Sequence, residues 1–377
     1  MKRILALGLA LSLSVMLLSG CGKKSSGYEI ALITDKGNID DKSFNQGAWE
    51  GVVKYAEANK ITHKYYKPEE ASDAGYLAQI DLAITGGAKV VVTPGYLFEL
   101  PIYEAQTKYP DVKFILLDGA PHTVDNAYET KTNVASVFYA EEQSGYLAGY
   151  AIVKDGKTKL GFMGGMAIPA VQAFGFGFLQ GAEAAATELG LADGALSVTY
   201  HYTGDFTETD TNKATAKTMY QEGTEVIFAC GGSVGKSVMA AAAESDAKVI
   251  GVDVDQRYDS ETIITSATKG LGASVVAVLE SIYKTDSWDT YAGKSTTFNA
   301  SNNGIGLPTA VIGDDAANAF DRFTSFDKAA YDAVFKTLAD GSVAPIRTFK
   351  VADPNGKETA EELVSNLKLV KVVVESR

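Results

Sequence analysis

The feature that most constrains this fold is a repeated alternation of short apolar runs with longer amphipathic stretches. The apolar runs are rich in Val and Ile and mostly continuous, which is typical of strands buried on both faces of a sheet. Strands are predicted at Glu29–Thr34, Lys89–Thr93, Val112–Leu117, Asn133–Val137, Lys159–Met163, Ser197–Tyr202, Glu225–Ala229, Lys248–Val252 and Ile263–Ser266. Helices are predicted at Phe44–Ala58, Asp73–Thr85, Pro101–Lys108, Ala140–Val153, Gln172–Leu189, Asp210–Gln221 and Gly235–Ser245. This repetition predicts an α/β protein with parallel sheets covered by helices on both faces.

The length of the chain sets the number of domains. The chain has 377 residues, more than the roughly 250–300 residues at which a single core usually stops growing. About ten strand–helix units are also more than one open sheet usually carries. We therefore expect two sheets, each forming its own domain.

The N-terminus has the pattern of an exported lipoprotein. An apolar run at Ile4–Leu18 follows two basic residues and has the length of a signal-peptide core. The next residues, Leu18-Ser19-Gly20-Cys21, resemble the bacterial lipobox, whose cysteine receives acyl chains such as palmitate. We expect a signal peptide over 1–20, a lipid anchor at Cys21 and a flexible tether over 21–27, on the extracytoplasmic face of a bacterial cell membrane. The alternative is an ordinary secretory signal in which Cys21 has no special role.

Composition excludes several classes of function. The formal net charge of −13 argues against nucleic acid, whose phosphates need clustered Lys and Arg. Two cysteines cannot form a disulfide framework, and three histidines leave little for a metal site. Cys230 ends an apolar run and is expected to be buried and unreactive. His63, His122 and His201 lie in polar stretches and are expected at the surface, so we expect no catalytic residues, metal or cofactor.

The loops that follow the predicted strands contain acidic and aromatic residues. In open parallel sheets, loops at the carboxyl ends of the strands carry the ligand. These loops hold Asp35, Phe44, Asp118, Phe174, Asp253 and Asp255. A carboxylate can accept hydrogen bonds from two adjacent hydroxyls, and two aromatic rings can sandwich a planar base at about 1–3 kcal/mol per base. Carboxylates would repel a phosphate, so the pattern favours a nucleoside over a nucleotide. The alternatives are helix N-caps for the aspartates and core packing for the phenylalanines.

The same loops resemble a known family, the basic membrane protein (BMP) family. The matching stretches are Thr34-Asp35 with Asp40-Asp41-Lys42-Ser43-Phe44-Asn45-Gln46-Gly47-Ala48-Trp49-Glu50-Gly51, then Gly161-Phe162-Met163-Gly164-Gly165-Met166-Ala167-Ile168-Pro169, then Phe228-Ala229-Cys230-Gly231-Gly232-Ser233-Val234-Gly235, then Gly251-Val252-Asp253-Val254-Asp255-Gln256. The first and last are specific when found together and in this order. The resemblance spans about Tyr28 to Tyr283. Better-known members resemble purine nucleoside receptor lipoproteins of ABC importers.

The resemblance implies a type I periplasmic-binding-protein fold. In that fold, two doubly wound parallel-sheet lobes are joined by a hinge and the ligand lies in the cleft between them. The expected N-terminal lobe is 28–137 plus about 269–305, and the C-terminal lobe is 138–268 plus about 306–377. The implied partners are a nucleoside, with purines expected, and the ABC permease of the same system. We expect a monomer.

The resemblance also implies roles for individual residues. Phe44 and Phe174 would sandwich the base, with Phe176 as the alternative to Phe174. Base edges would be held by Asp35 and Asp118 with Asn45 nearby. Ribose hydroxyls would be held by Asp253 and Lys269, with Asp255 as the alternative to Asp253, and Gly231 and Gly232 would line the cleft through their backbone groups. No role is carried over to residues after Tyr283.

Competing functions have weaker patterns. Gly235-Lys236-Ser237 is close to a P-loop, but Cys230 stands where that motif requires glycine. Asp253-Val254-Asp255 lacks the glycine and terminal glutamate of a calcium loop. The carboxylates could serve a nucleoside hydrolase as an acid–base pair, or a binding protein for a sugar or another small polar solute. A hydrolase would release free base, whereas a receptor would return the nucleoside unchanged.

Overall fold

A computed structural model of the protein describes residues 27–309, 319–347, 363–365 and 367–375. The expected signal peptide and Cys21 lie outside these ranges. The described strands are β1 (Ile30–Ile33), β2 (His63–Tyr66), β3 (Val90–Pro94), β4 (Lys113–Leu117), β5 (Val134–Tyr139), β6 (Lys159–Gly164), β7 (Leu196–Tyr202), β8 (Val226–Cys230), β9 (Lys248–Asp253), β10 (Ile263–Lys269), β11 (Lys294–Phe298), β12 (Ile305–Gly306) and β13 (Val370–Glu375). The described α-helices are α1 (Phe44–Asn59), α2 (Asp73–Thr85), α3 (Glu99–Lys108), α4 (Glu141–Lys154), α5 (Pro169–Leu189), α6 (Asp210–Gln221), α7 (Val234–Ser245), α8 (Leu271–Tyr283) and α9 (Lys328–Ala339).

The strands form two separate sheets. The six-stranded sheet has the order β11-β5-β4-β3-β1-β2 and is parallel throughout. The seven-stranded sheet has the order β12-β10-β9-β8-β6-β7-β13 and is parallel except for the antiparallel pair of β10 and β12. We call the unit built on the first sheet the N-terminal lobe and the unit built on the second the C-terminal lobe. The predicted α/β fold with parallel sheets is confirmed.

Over the residues that the structure describes, the chain passes between the two sheets three times. The first crossing follows β5: the next strand, β6, belongs to the second sheet, and the intervening helix α4 packs on α5. The chain returns after β10, because α8 packs on α1, and it leaves again between β11 and β12. We propose that these crossings divide the lobes, within a few residues of the boundaries given in the sequence analysis.

Elements that the sequence analysis did not predict lie mainly at sheet edges. β2 and β11 are edge strands with several exposed polar residues, so they lack the apolar run by which central strands are recognised. α8 is rich in Val and Ile, which favour strands, yet its buried positions recur at helical spacing. β12, β13 and α9 lie after Ser266, in a part of the chain where the sequence analysis predicts no strand or helix.

One prediction about surface position is wrong. His201 is 3% exposed, and its Nδ1 lies 3.1 Å from the carbonyl oxygen of Glu375. The reason is β13, which pairs with β7 and covers the edge on which His201 lies. His63 and His122 are partly exposed.

Glycines bring α4 and α5 into close contact. A Cβ atom on Gly145 would lie 2.1 Å from the carbonyl oxygen of Phe174, and one on Gly181 would lie 1.9 Å from that of Tyr146. Real side chains cannot approach so closely, so only glycine permits this distance between the helices. The contact fixes the helix that carries Phe174 directly against the helix that begins at Glu141.

Candidate ligand-binding site

A cavity of about 460 Å³ lies at the carboxyl ends of the strands of both sheets. It is lined from the N-terminal lobe by the loop after β1, the start of α1 and the ends of β3 and β4. From the C-terminal lobe it is lined by the start of α5 and the ends of β8, β9 and β10. The alternatives Phe176 and Asp255 do not line it, whereas the nine residues to which the sequence analysis first assigns site roles all do: Asp35, Phe44, Asn45, Asp118, Phe174, Gly231, Gly232, Asp253 and Lys269. The topology therefore gathers into one cavity residues that are up to 234 positions apart in the chain.

Two phenylalanine rings from opposite lobes face the same ammonium group. Lys269 Nζ lies 4.8 Å from the ring centroid of Phe44 and 5.3 Å from that of Phe174. The centroids of the two rings are therefore at most about 10 Å apart. A planar base between two rings needs a separation of about 7–8 Å, twice the van der Waals contact distance. Phe176, the alternative to Phe174, is fully buried and is not among the cavity-lining residues.

Asp35 lies at an end of the cavity where carboxylates are held by amide groups. Its Oδ1 accepts hydrogen bonds from the Gly37 N–H at 2.9 Å and from Asn45 Nδ2 at 2.8 Å. Asn45 Nδ2 also donates to Asp41 Oδ2 at 2.9 Å, and Asn45 Oδ1 accepts from the Asp35 N–H at 3.2 Å. The Asn45 amide is thus occupied by the protein, and its role is to orient Asp35. We call Asp35, Asn45 and Asp41 the amide-held end.

Asp41 caps the start of α1, which is the structural alternative that the sequence analysis gave for the aspartates of these loops. Its two carboxylate oxygens accept from the backbone N–H groups of Ser43, Asn45 and Gln46 at the start of α1, at 2.9–3.1 Å. Together with the Asn45 side chain, these donors occupy both oxygens. Asp41 therefore holds the loop and helix start that carry Phe44.

Burial governs the charge of the amide-held end. Burial raises the pKa of Asp35 to about 6, although the hydrogen bonds from Gly37 and Asn45 oppose the shift. Burial also raises the pKa of Asp41. The charge of Lys36 also lowers the pKa of Asp35, as the smallest of these influences. At neutral pH the Asp35 carboxylate is a strong acceptor for a ligand N–H group.

Lys269 organises a second group of charged side chains at the cavity. Its Nζ lies 2.5 Å from Asp118 Oδ2, 3.1 Å from Glu141 Oε1 and 3.9 Å from Asp253 Oδ1. The side chain is 3% exposed, so these charges meet in a nearly dry environment. Arg347 pairs with Glu141 Oε2 from the other side. We call Lys269, Asp118, Glu141, Asp253 and Arg347 the cation-held end.

The carboxylates of the cation-held end differ in proton affinity. Burial raises the pKa of Asp118 to about 7, with Lys269 opposing the shift and Glu141 adding to it. Burial also raises the pKa of Asp253. For Glu141, burial is outweighed by Lys269 and Arg347, which lower its pKa. The three carboxylates together outweigh the burial of Lys269 and raise its pKa, so the ammonium stays charged.

Asp118 and Asp253 both have backbone conformations that are unusual for a residue with a side chain. Their φ angles are 55° and 66°, in the left-handed region, where most non-glycine residues lose about 1–2 kcal/mol. Asp118 Oδ1 is buried and receives no hydrogen bond from the part of the chain that the structure describes. Asp118 therefore offers an unused acceptor at the cavity.

The structure separates Asp253 from its sequence alternative, Asp255. Asp253 lines the cavity and accepts a hydrogen bond from Ser43 Oγ at 2.5 Å, a contact that joins the two lobes. Asp255 instead holds Arg257, with Nε and Nη2 at 2.8 and 2.5 Å from its two oxygens. It is not among the cavity-lining residues.

The loop after β8 is packed too tightly for larger residues. A Cβ atom on Gly231 would lie 2.8 Å from the Gly165 nitrogen, and Gly232 has a φ of 55°. Lys236, the lysine of the P-loop-like stretch, donates to the carbonyl oxygen of Asp40 at 3.1 Å, in the N-terminal lobe. Cys230 is buried, as expected, and burial raises the pKa of its thiol.

Glu141 and Arg347 were not found in the sequence. Glu141 directly follows Ala140 at the carboxyl end of β5, so the strand-end rule would have found it had β5 been predicted to reach Tyr139. Arg347 follows no strand and belongs to a region without predicted elements. Its place in the site depends on contacts between distant parts of the chain.

The described residues give no sign of a metal centre or a membrane span. Within those ranges, no three side chains of His, Cys, Asp or Glu converge as metal ligands would. The carboxylates at the cavity surround a lysine ammonium instead. Among the same residues, no helix combines the length and the apolar character needed to cross a bilayer.

Comparison with known proteins identifies the family. Residues 29–336 match the family model described as Bmp, ABC transporter substrate-binding protein PnrA-like. The chain belongs to this family. Its members are extracytoplasmic substrate-binding proteins of ABC transporters, so the family resemblance seen in the sequence is confirmed.

The family match is supported by relatives from several bacteria. The ABC transporter nucleoside-binding protein BmpA of Lactococcus lactis is 29% identical over 354 residues, covering 84% of this chain and 95% of BmpA. Basic membrane protein A of Borreliella burgdorferi is 30% identical over 301 residues, covering 78% of this chain and 84% of the relative.

Solved structures support the fold. The ABC transporter solute-binding protein of Aeropyrum pernix superposes with a TM-score of 0.71 at 22% identity, covering 86% of this chain and 94% of the other. A solute-binding protein of Conexibacter woesei superposes with a TM-score of 0.63 at 24% identity, covering 84% and 98%. The expected type I periplasmic-binding-protein fold is confirmed.

Proposed function

We propose that this protein is a nucleoside receptor of an ABC importer, with purine nucleosides as the expected ligands. The observation that carries the proposal is the placement of Phe44 and Phe174, from opposite lobes, around one ammonium group in a shared cavity. A flat base fits between two rings, and a pentose carries the hydroxyls that the neighbouring charged groups can bind. The relative BmpA is named as a nucleoside-binding protein.

The two ends of the cavity suit the two parts of a nucleoside. Within the part of the chain that the structure describes, the hydrogen bonds to the Asp35 carboxylate reach Oδ1, which leaves Oδ2 for a ligand donor. Purine bases have N–H groups at their edges that such an oxygen can accept. At the cation-held end, Lys269 can donate to a hydroxyl oxygen while Asp118 Oδ1 and Asp253 accept from hydroxyl hydrogens.

The charge of the cavity disfavours nucleotides. The cation-held end has three carboxylates around Lys269, with Arg347 shared between Glu141 and Glu142. A phosphate placed there would face more negative than positive charge and would lose its hydration. We therefore expect a strong preference for nucleosides over their monophosphates.

Ligand binding would be coupled to closure of the lobes. The loop after β1 contacts the C-terminal lobe through Ser43 Oγ and Asp253, through Gln256 Nε2 and the Lys42 carbonyl at 2.6 Å, and through Lys236 and the Asp40 carbonyl. A ligand that touches both lobes adds to these contacts only when the lobes are together, so it favours the closed form. We propose that the closed monomer, held at the membrane by lipid on Cys21, delivers the nucleoside to the permease.

A thermal-shift panel on the soluble Lys23–Arg377 chain tests the proposed function. The panel contains nucleosides, free bases, nucleoside monophosphates and sugars, with chromatography of the nucleoside samples afterwards. A true ligand at a hundredfold excess over its Kd adds about 2.7 kcal/mol to the free energy of unfolding. We expect stabilisation by purine nucleosides, little by monophosphates or sugars, and recovery of intact nucleoside. Stabilisation by sugars alone, or release of free base, would contradict the proposal.

A further inference from the structure

Lys269 is the only residue at the cavity whose ammonium faces both rings and three carboxylates, within the ranges that the structure describes. A lysine side chain has many rotamers, so holding it in one of them costs side-chain entropy. Asp118 and Asp253 line the cavity and are available to a ligand. Glu141 is different, because it is fully buried and does not line the cavity. Glu141 therefore cannot contact a ligand in the cavity directly, and it can act on the ligand only through Lys269.

Glu141 is itself held by Arg347. Arg347 Nη1 pairs with Glu141 Oε2 and lies 2.7 Å from Glu142 Oε2 and 2.9 Å from the Tyr139 carbonyl oxygen. The two Glu141 oxygens are thus divided, one for Arg347 and one for Lys269. A carboxylate with a cation on each side has a defined position, and its charge is balanced without proton uptake.

Arg347 is in turn fixed by the C-terminal lobe. The residue before it, Ile346, exchanges two hydrogen bonds with the side-chain amide of Gln180 on α5, each 2.8 Å long. Gln180 lies on the helix that carries Phe174, and that helix packs closely on α4, which begins with Glu141. Side-chain contacts therefore connect α5 to the Lys269 ammonium through Arg347 and Glu141.

We propose that Glu141 and Arg347 are positioning residues that fix the Lys269 ammonium for the ligand's vicinal hydroxyls, so that they set the preference for a ribose-bearing ligand. The inference rests on the proposed nucleoside function and extends it to two residues to which the sequence analysis assigns no role. Glu141 acts from outside the cavity. Arg347 acts through Glu141, although its side chain also reaches the cavity wall.

The first experiment compares ligands that differ only in the hydroxyls. Calorimetry measures the affinity of inosine and of 2′,3′-dideoxyinosine for the wild type, Glu141→Gln and Arg347→Met. We expect each variant to weaken inosine binding roughly tenfold and dideoxyinosine binding by less than about twofold, because coupling between neighbouring groups has this size. Arg347→Lys should recover part of the loss, since it keeps the charge but not the planar fork. An equal loss for both ligands would overturn the proposal.

A matched control uses another arginine of the C-terminal region. Arg322 Nη1 donates to the carbonyl oxygens of Ser260 and Ile263, at 2.9 and 2.8 Å, and does not line the cavity. Arg322→Met therefore removes a structural arginine without touching the cation-held end. It should change inosine and dideoxyinosine affinity equally, if at all. A selective loss of inosine binding in Arg322→Met would show that hydroxyl selectivity responds to any destabilising change, and would overturn the assignment.

The second experiment needs no ligand and separates this inference from the proposed function. In protein labelled with ¹⁵N-lysine, the Lys269 ammonium resonance is assigned by comparison with Lys269→Arg. We expect Glu141→Gln and Arg347→Met to shift this resonance and Arg322→Met to leave it in place. An unmoved resonance would overturn the positioning role. If the wild type bound neither ligand, the nucleoside function would fail, and the resonance would still decide whether Glu141 and Arg347 hold Lys269.

Discussion

The two ends of the cavity hold buried carboxylates in opposite ways. At the amide-held end, Asp35 is bound by N–H groups, and burial raises its pKa to about 6. At the cation-held end, Glu141 lies between Lys269 and Arg347, which lower its pKa. Asp35 should therefore respond to pH and tolerate loss of its charge, whereas Glu141 should stay charged and the fold should depend on the two cations that hold it.

The largest expected effect on stability comes from removing the Lys269 ammonium from the cation-held end. Lys269→Met would leave Asp118, Glu141 and Asp253 buried around an apolar side chain. Unpairing a buried charge typically costs about 3–5 kcal/mol, so we expect a loss of that size in the free energy of unfolding, measured by urea denaturation. Lys284→Met is the control, because Lys284 pairs with Glu280 at the surface and should cost less than about 1 kcal/mol. Equal midpoints for the two variants would show that the cation-held end is not held by Lys269.

The next largest effect concerns the Phe44 ring, which faces the Lys269 ammonium. Phe44→Ala should weaken nucleoside binding by about 1–3 kcal/mol in calorimetry, because one face of the base loses its stacking partner. Phe44 is only partly buried, so the effect on stability should be smaller than that of a core phenylalanine. Tyr65→Ala is the matched control, since Tyr65 is 38% exposed on β2 and does not line the cavity. An unchanged affinity for Phe44→Ala would remove Phe44 from the site.

The pH dependence of binding sharpens the comparison at the amide-held end. A ligand N–H requires the ionised form of Asp35, which is lost as the pH falls through about 6. Between pH 7.5 and pH 5 we expect the ratio of wild-type to Asp35→Asn affinity to fall about tenfold, equivalent to about 1.4 kcal/mol. The other titratable groups that interact electrostatically with Asp35 are Asp41, Lys36, Tyr76 and Tyr96. A ratio that does not change with pH would show that Asp35 does not bind the ligand as a carboxylate.

The smallest expected effect is on stability: neutralising Asp35 and neutralising Glu141 should change the free energy of unfolding in opposite directions. Because burial raises the pKa of Asp35, its ionised form destabilises the folded protein above pH 6. Asp35→Asn should therefore stabilise the unliganded protein at pH 7.5 by about 1 kcal/mol, after allowance for the partial exposure of the side chain. Glu141→Gln should destabilise it, because the lowered pKa of Glu141 means that its charge stabilises the fold. Both are read from urea denaturation, and a shared sign would remove the distinction between the two ends.

At both ends of the cavity, the sequence predicted carboxylates at strand ends but not the side chains that hold them. Asp35, Asp118 and Asp253 follow central strands whose apolar runs are continuous, so the strand-end rule places them at the cavity. It does not show that Asn45 is used to orient Asp35, because that depends on hydrogen bonds among three side chains. Nor does it find Arg347, whose position depends on a contact with α5 that is 166 residues away in the chain.

Edge elements were the other part that the sequence did not predict. The central strands are buried on both faces and show it in their composition, whereas β2 and β11 are partly exposed and polar. β13 was missed, and with it the burial of His201. Composition identifies a strand by its burial, so strands at the border of a sheet have the weakest pattern.

A crystal structure of the soluble chain with inosine tests the central claim most directly. We expect the base between the rings of Phe44 and Phe174, its edge within hydrogen-bond distance of Asp35, and the pentose hydroxyls within the same distance of Lys269 and Asp253. Inosine bound elsewhere, or bound in the cavity with its base outside the two rings, would contradict it.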